Sequence, residues 1–97
     1  MPSDEQIERV RELILSVPPG KVTTYGDVAD AAELSTPRLT AWVLRHDGAG
    51  LPWHRVIRSS GIPAPSVAHE QLELLRAEGV PIRDGKVNLA QARAVLD

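Results

Sequence analysis

The sequence predicts an α+β domain, mainly helical, built on a helix-turn-helix of winged-helix type with one or two short β-hairpins. Three observations predict it. Capping boxes open two apolar-periodic segments near the N-terminus. A tight turn separates the second of these from a third segment that begins Thr36-Pro37. Near the C-terminus, Asp84-Gly85 stands between two short β-prone runs. At 97 residues and with 42% hydrophobic and 25% charged side chains, the chain reads as one globular domain spanning 1–97.

The first helix starts at the box Ser3-x-x-Gln6, carries Ile7, Val10, Ile14 and Val17 at helical spacing, and is expected to end at Pro18-Pro19-Gly20. Lys21-Val22-Thr23 is a short β-prone link. A second box, Thr24-x-x-Asp27, opens a helix with Tyr25, Val28, Ala29 and Ala32 at i, i+3, i+4 and i+7. After the turn Glu33-Leu34-Ser35, Thr36 reads as an N-cap and Pro37 as the first residue of a third helix running to about His46. That helix has two faces: Leu39, Trp42, Val43 and His46 are expected on the core, and Arg38, Ala41 and Arg45 on another side. A small residue between two arginines lets a helix backbone approach another surface closely.

Asp47-Gly48-Ala49-Gly50 is a turn and Ile62-Pro63-Ala64-Pro65 a loop. Ser66 to Glu78 reads as a helix with Ala68, Leu72 and Leu75 inward and Gly79 as its C-terminal cap. Val80 to Leu89 reads as a hairpin with a type I′ turn, and Asn88-x-x-Gln91 as the cap of a terminal helix from Ala90 to Leu96.

Composition excludes several functions. The sequence has no cysteine, so it holds no disulfide, no zinc–thiolate site and no cysteine nucleophile. No apolar run reaches the ~20 residues of a membrane span. The acidic start MPSDEQIERV lacks the pattern of a signal peptide, which points to the cytoplasm. His46, His54 and His69 have no second ligand at metal-binding spacing, so neither a metal nor a cofactor is expected. No Gly-rich phosphate loop is present, and Ser59 and Ser60 are not tied by spacing to His54 as a nucleophile–base pair.

The net charge of −2 is unevenly spread: residues 1–35 carry −4, residues 36–60 carry +3 and residues 61–97 carry −1. The basic stretch takes all its positive charge from Arg38, Arg45, Arg55 and Arg58, and guanidinium groups suit planar contact with phosphates and bases. By itself such a stretch is also compatible with a solvated face.

Taken in order, these residues resemble one family. Val17-Pro18-Pro19-Gly20-Lys21-Val22-Thr23-Thr24-Tyr25-Gly26-Asp27-Val28-Ala29 is similar to the opening of the DNA-binding domain of O6-alkylguanine-DNA alkyltransferases. Pro52-Trp53-His54-Arg55-Val56 resembles that family's Pro-Cys-His-Arg-Val motif, with Trp in place of the alkyl-accepting Cys, and Leu74-Leu75-x-x-Glu78-Gly79 resembles its later Leu-Leu-x-x-Glu-Gly segment. Trp for Cys is the mark of the alkyltransferase-like proteins. The resemblance runs from about Ile7 to Leu89.

It implies a non-enzymatic sensor that binds double-stranded DNA containing O6-alkylguanine; no oligomerisation feature stands out in the sequence, so a monomer is the default expectation. The helix-turn-helix enters the minor groove, the damaged base flips into a pocket, and the site passes to nucleotide excision repair proteins. Tyr25 matches the Tyr that helps rotate the flipped nucleotide; its plainer role is a helix-start aromatic packed on the core. The turn before the third helix is one residue shorter than the family's. With that deletion Arg38 matches the inserted Arg and Ala41 the small Gly, and Arg38 otherwise reads as a surface Arg. Arg45 is expected on a phosphate or in solvent. Leu44, Trp53 and Val56 match pocket positions, the carbonyls of Trp53 and Val56 those that accept from the guanine amino group. His54 and Glu78 match the Cys-activating relay, left here without a thiol. Arg55 is expected to brace the motif, and Arg58 to reach phosphate or the surroundings of the adduct. The loop after Gly61, Ile62-Pro63-Ala64-Pro65-Ser66, matches the family's pocket-closing loop but is about two residues shorter, with Ser66 a candidate contact to the O6 region.

Three other classes stay open on the residues alone. One is a small transcriptional regulator binding paired half-sites. Another is a hydrolase using His54 and Glu78. The last is a module that binds only protein.

Overall fold

The computed structural model describes residues 1–96. Helix α1 spans Asp4–Leu15, and its N-terminus closes in the expected reciprocal box between Ser3 and Gln6. It ends three residues before Pro18, with Ser16 as its C-cap, yet Val17 still reaches the core at 1% exposure. Strand β1 is Thr23–Thr24, α2 is Tyr25–Ala31 and α3 is Pro37–Asp47. A 3₁₀ turn at Trp53–Arg55 leads into β2, Val56–Ile57. Helix α4, Ala68–Ala77, precedes the hairpin strands β3, Ile82–Arg83, and β4, Lys86–Val87, and the short α5, Leu89–Ala92.

One of the two β pairings is the predicted hairpin. Asp84 and Gly85 have φ of 54° and 74°, the doubly left-handed geometry of a type I′ turn. The other pairing is not a hairpin: β1 and β2 run parallel, Thr23 opposite Val56 and Thr24 opposite Ile57. This pair joins the two halves of the core. Successive strand residues point to opposite faces, so Val56 enters the cluster formed with Val10, Ile14, Val28 and Val43, and Ile57 enters the cluster with Val22, Leu75, Val80 and Val87.

Several local expectations change under tertiary contacts. Helix α4 starts at Ala68 rather than Ser66, and Ala68 and Leu72 are only half-buried while Gln71 is buried. Helix α5 ends at Ala92, not Leu96. Arg93 turns extended because its backbone bridges Val22 and its guanidinium pairs with Asp27, with contacts of 2.6 and 2.7 Å. Thr24 caps α2 by accepting from the Asp27 N–H, the one half of the expected capping box that forms. His46 is exposed, not on the core, and its ring lies 4.6 Å from that of half-buried Trp42. Leu39 and Trp42 are half-buried, and the fully enclosed residues of α3 are Thr40 and Val43.

Candidate nucleic-acid interface

Helices α2 and α3 form the helix-turn-helix. Two contacts set it. Glu33 takes a left-handed φ of 58° in the turn, and the Thr40 hydroxyl donates to the Tyr25 carbonyl at 3.0 Å. A buried hydroxyl on α3 thus registers the outer helix against the first residue of α2. Arg38 and Arg45 project exposed from α3, and Ala41 between them is half-buried.

Two cavities meet at Tyr25. An open cleft of about 410 Å³ is lined by Tyr25, Gly26, Pro37, Arg38, Ala41, Arg58 and Ser59. A more enclosed cavity of about 160 Å³ lies behind it, walled by Tyr25, Trp53, Val56, Ile57 and Arg58 and closed by Pro63, Ala64, Val67 and Gln71. Tyr25 and Arg58 line both. Burial pushes the Tyr25 phenol above its ordinary range and the nearby Arg58 charge opposes this in part, so the hydroxyl stays protonated at neutral pH as a hydrogen-bond donor.

The short loop over the inner cavity is held by Arg58, whose Nε and Nη2 donate to the carbonyls of Ile62 and Pro63 at 2.9 and 2.8 Å. The 3₁₀ turn is held from the other side. Gln71 Nε2 donates to the carbonyls of His54 and Val56, both at 3.0 Å. Trp53 is half-buried on the cavity wall, with its ring edge-on to His54 at 6.2 Å.

Behind the turn, Glu78 is the hub of a hydrogen-bonded cluster. Its Oε2 lies 2.8 Å from His54 Nε2, while Arg55 donates to Oε2 from Nη2 at 2.7 Å and to Oε1 from Nε at 3.0 Å. Arg55 Nη1 continues to the Val17 carbonyl at 3.1 Å, tying the cluster to the end of the first helical segment. The Arg55 guanidinium, aided by His54, holds the Glu78 carboxyl at about 2 against the opposing effect of burial.

Of the residues singled out from sequence, Tyr25, Arg38 and Ala41 converge on the open cleft, and Tyr25, Trp53 and Val56 on the inner cavity. Arg45 lines neither cavity and stands exposed further along α3. Leu44 is half-buried and packs against the helical core cluster, and it is not among the residues that line the inner cavity. Ser66 is exposed and lines neither cavity. Ile57, Val67 and Gln71 are wall residues that sequence reasoning missed, whereas Pro63 and Ala64 belong to the loop expected to close the pocket. Gln71 left a trace in the sequence: a polar residue four positions before Leu75, on the inward face of α4. Among the described residues no three His, Asp or Glu side chains gather as metal ligands, and no helix is long and apolar enough to cross a membrane.

Comparison with known proteins gives a consistent result. A DNA base-flipping protein of Escherichia coli is 35% identical, over 96% of this chain and 82% of its own length. Alkyltransferase-like protein 1 of Schizosaccharomyces pombe is 34% identical, over 84% of this chain and 82% of its own. The crystal structure of S. pombe Atl1 in complex with damaged DNA containing O6-carboxymethylguanine superimposes with a TM-score of 0.84 at 30% identity, covering 98% of this chain and 99% of that one. Residues 5–80 match the family model described as the DNA-binding domain of 6-O-methylguanine DNA methyltransferase, and the chain belongs to that family.

Proposed function

We propose that the chain is an alkyltransferase-like sensor of DNA damage. It docks α2 and α3 in the minor groove of a duplex carrying O6-alkylguanine and flips the damaged base into the inner cavity. The alkyl group stays on the base, and the bound, bent site passes to nucleotide excision repair proteins. The protein acts as a cytoplasmic monomer. The observation that carries this reading is the position of Tyr25 as common wall of the open cleft and the inner cavity. A base leaving a helix docked on the cleft passes Tyr25 to reach the side of Trp53.

Flipping costs a few kcal/mol, least where pairing is already damaged, and this favours the lesion over guanine. Arg38, exposed at the rim of the cleft, fills the vacated space in the stack and offsets part of that cost. Ala41 allows α3 to come close, and Arg45 meets a phosphate. Inside, Trp53 offers an apolar face to the purine and its adduct. An indole cannot accept an alkyl group, and the sequence contains no cysteine, so the His54–Glu78 pair has no thiol to activate. The pair serves instead to fix the turn that carries Trp53. The names of the base-flipping relative and of the lesion-bound structure support the same reading.

The test is competition between a duplex with one O6-methylguanine and the same duplex with guanine, at one fixed salt, followed by nucleoside analysis of the recovered DNA. Preferential binding with the lesion intact is expected. Equal binding, or loss of the methyl group, overturns the proposal.

A further inference from the structure

A further cavity, of about 790 Å³, lies outside this site. It is a groove between the segment Ser59–Ile62 and the β3–β4 hairpin, lined on the hairpin side by Arg83, Asp84 and Lys86, with Ser59, Ser60 and Asn88 contributing further polar groups. The groove depends on a close backbone approach: Val87 N–H donates to the Gly61 carbonyl at 2.9 Å. A Cβ on Gly61, whose φ is 77°, would stand 2.6 Å from the Val87 carbonyl oxygen, so this position requires glycine.

The chain's cations divide into two groups. Seven of its eleven Lys and Arg side chains are engaged with carboxylates or carbonyls: Arg9, Arg11, Lys21, Arg55, Arg58, Arg76 and Arg93. The other four make no side-chain hydrogen bond or ion pair among the described residues. Two of them, Arg38 and Arg45, stand on α3. The remaining two, Arg83 and Lys86, are directly opposite one another across the β3–β4 ladder, so they share one face. Like charges in that relation repel. A bound anion between them turns repulsion into attraction. Asp84 at the tip supplies the left-handed turn residue and pairs with neither.

The groove borders the cleft, since Ser59 lines both it and the space walled by Tyr25 and Arg38. We propose that the β3–β4 hairpin is a second DNA-binding arm, on which Arg83 and Lys86 hold the phosphate backbone of the duplex flanking the lesion. The arm rests on the sensor reading for the position of the duplex. It reads no base, so it strengthens binding to damaged and undamaged DNA alike.

The experiment titrates the protein and its Arg83→Ala/Lys86→Ala variant against O6-methylguanine and guanine duplexes between about 50 and about 200 mM salt. Thermal melting serves as a check that both fold. Each phosphate contact contributes about 0.9 to the slope of log affinity against log salt, so the double variant is expected to flatten the slope by about 1.8. It should also lose about tenfold in affinity by the same factor on both duplexes. The charge-retaining Arg83→Lys/Lys86→Arg variant keeps the wild-type slope. An unchanged slope with lesion preference intact overturns the arm and leaves the sensor reading standing, and is also the result if the hairpin serves an acidic protein segment. A loss confined to the lesion duplex overturns it too. A flattened slope in a protein without lesion preference supports the arm and overturns the sensor reading. Absence of DNA binding by the wild-type protein overturns both.

Discussion

Arg55 grips Glu78 through two N–H groups, Nη2 to Oε2 at 2.7 Å and Nε to Oε1 at 3.0 Å, both side chains being 16% exposed. The grip has a pH signature. The Glu78 carboxyl is held at about 2 in the folded protein against an ordinary 4.5, chiefly by Arg55 and then by His54. A depressed carboxylate adds stability that is fully present above its unfolded value and fades as pH falls toward its folded value. Between about pH 4.5 and about pH 2 the wild-type protein should lose on the order of 3 kcal/mol that a Glu78→Gln variant does not lose. Urea midpoints of the two proteins across that window measure it, and parallel curves would show that the pairing adds nothing.

Gln71 is a prediction about stability and pocket shape together. It is 3% exposed, and its Nε2 is the hydrogen-bond donor to two carbonyls on the turn that carries Trp53. Gln71→Leu keeps the volume and leaves both acceptors without that donor, so it should cost about 1–3 kcal/mol in chemical denaturation. It should also weaken lesion binding more than binding to plain DNA, since the wall of the inner cavity loosens. An equal loss on both duplexes would make Gln71 a purely structural residue.

The two exposed arginines of α3 should behave differently. Arg38 lines the cleft beside Tyr25 and Arg45 does not. Arg38→Ala is expected to reduce lesion binding by more than it reduces binding to guanine DNA. Arg45→Ala should reduce both by one factor and lower the salt slope by about 1. Competition binding separates the two patterns. Equal losses in Arg38→Ala would reduce Arg38 to a phosphate contact.

Tyr25 lies where the two cavities join, and its hydroxyl stays protonated. Tyr25→Ala should lower the fluorescence gain of 2-aminopurine placed beside the lesion, while Tyr25→Phe keeps most of the steric push. Unchanged fluorescence in Tyr25→Ala would remove this residue from base rotation.

Much of the fold was legible because its signals are local. The Ser3–Gln6 box, Pro37 at the head of α3 and the Asp84-Gly85 turn each act within four residues, and each formed as read. Where the terminal helix departs from its expected length, the cause is contact from far along the chain. Arg93 leaves the helical path to reach Asp27 and Val22. The parallel β1–β2 pair has two residues per strand, too few for any periodicity. In the candidate site, Tyr25 and Trp53 stand out through their motifs, and Arg38 through its face of α3 and a match that needs a one-residue gap. Gln71 gives no such signal, because apolar periodicity seeks apolar residues.

The central claim is that a flipped base comes to rest beside Trp53, and Trp53 can report it. The other tryptophan, Trp42, stacks on His46 away from the cavity, so Trp42→Phe leaves a single indole on the cavity wall. The decisive measurement is the emission of Trp53 in that variant as O6-methylguanine duplex is added, set against guanine duplex at equal occupancy by anisotropy. The account predicts saturable quenching by the lesion duplex and little by the other. Equal emission with both duplexes bound would contradict it, because the damaged base would then be recognised without entering the cavity.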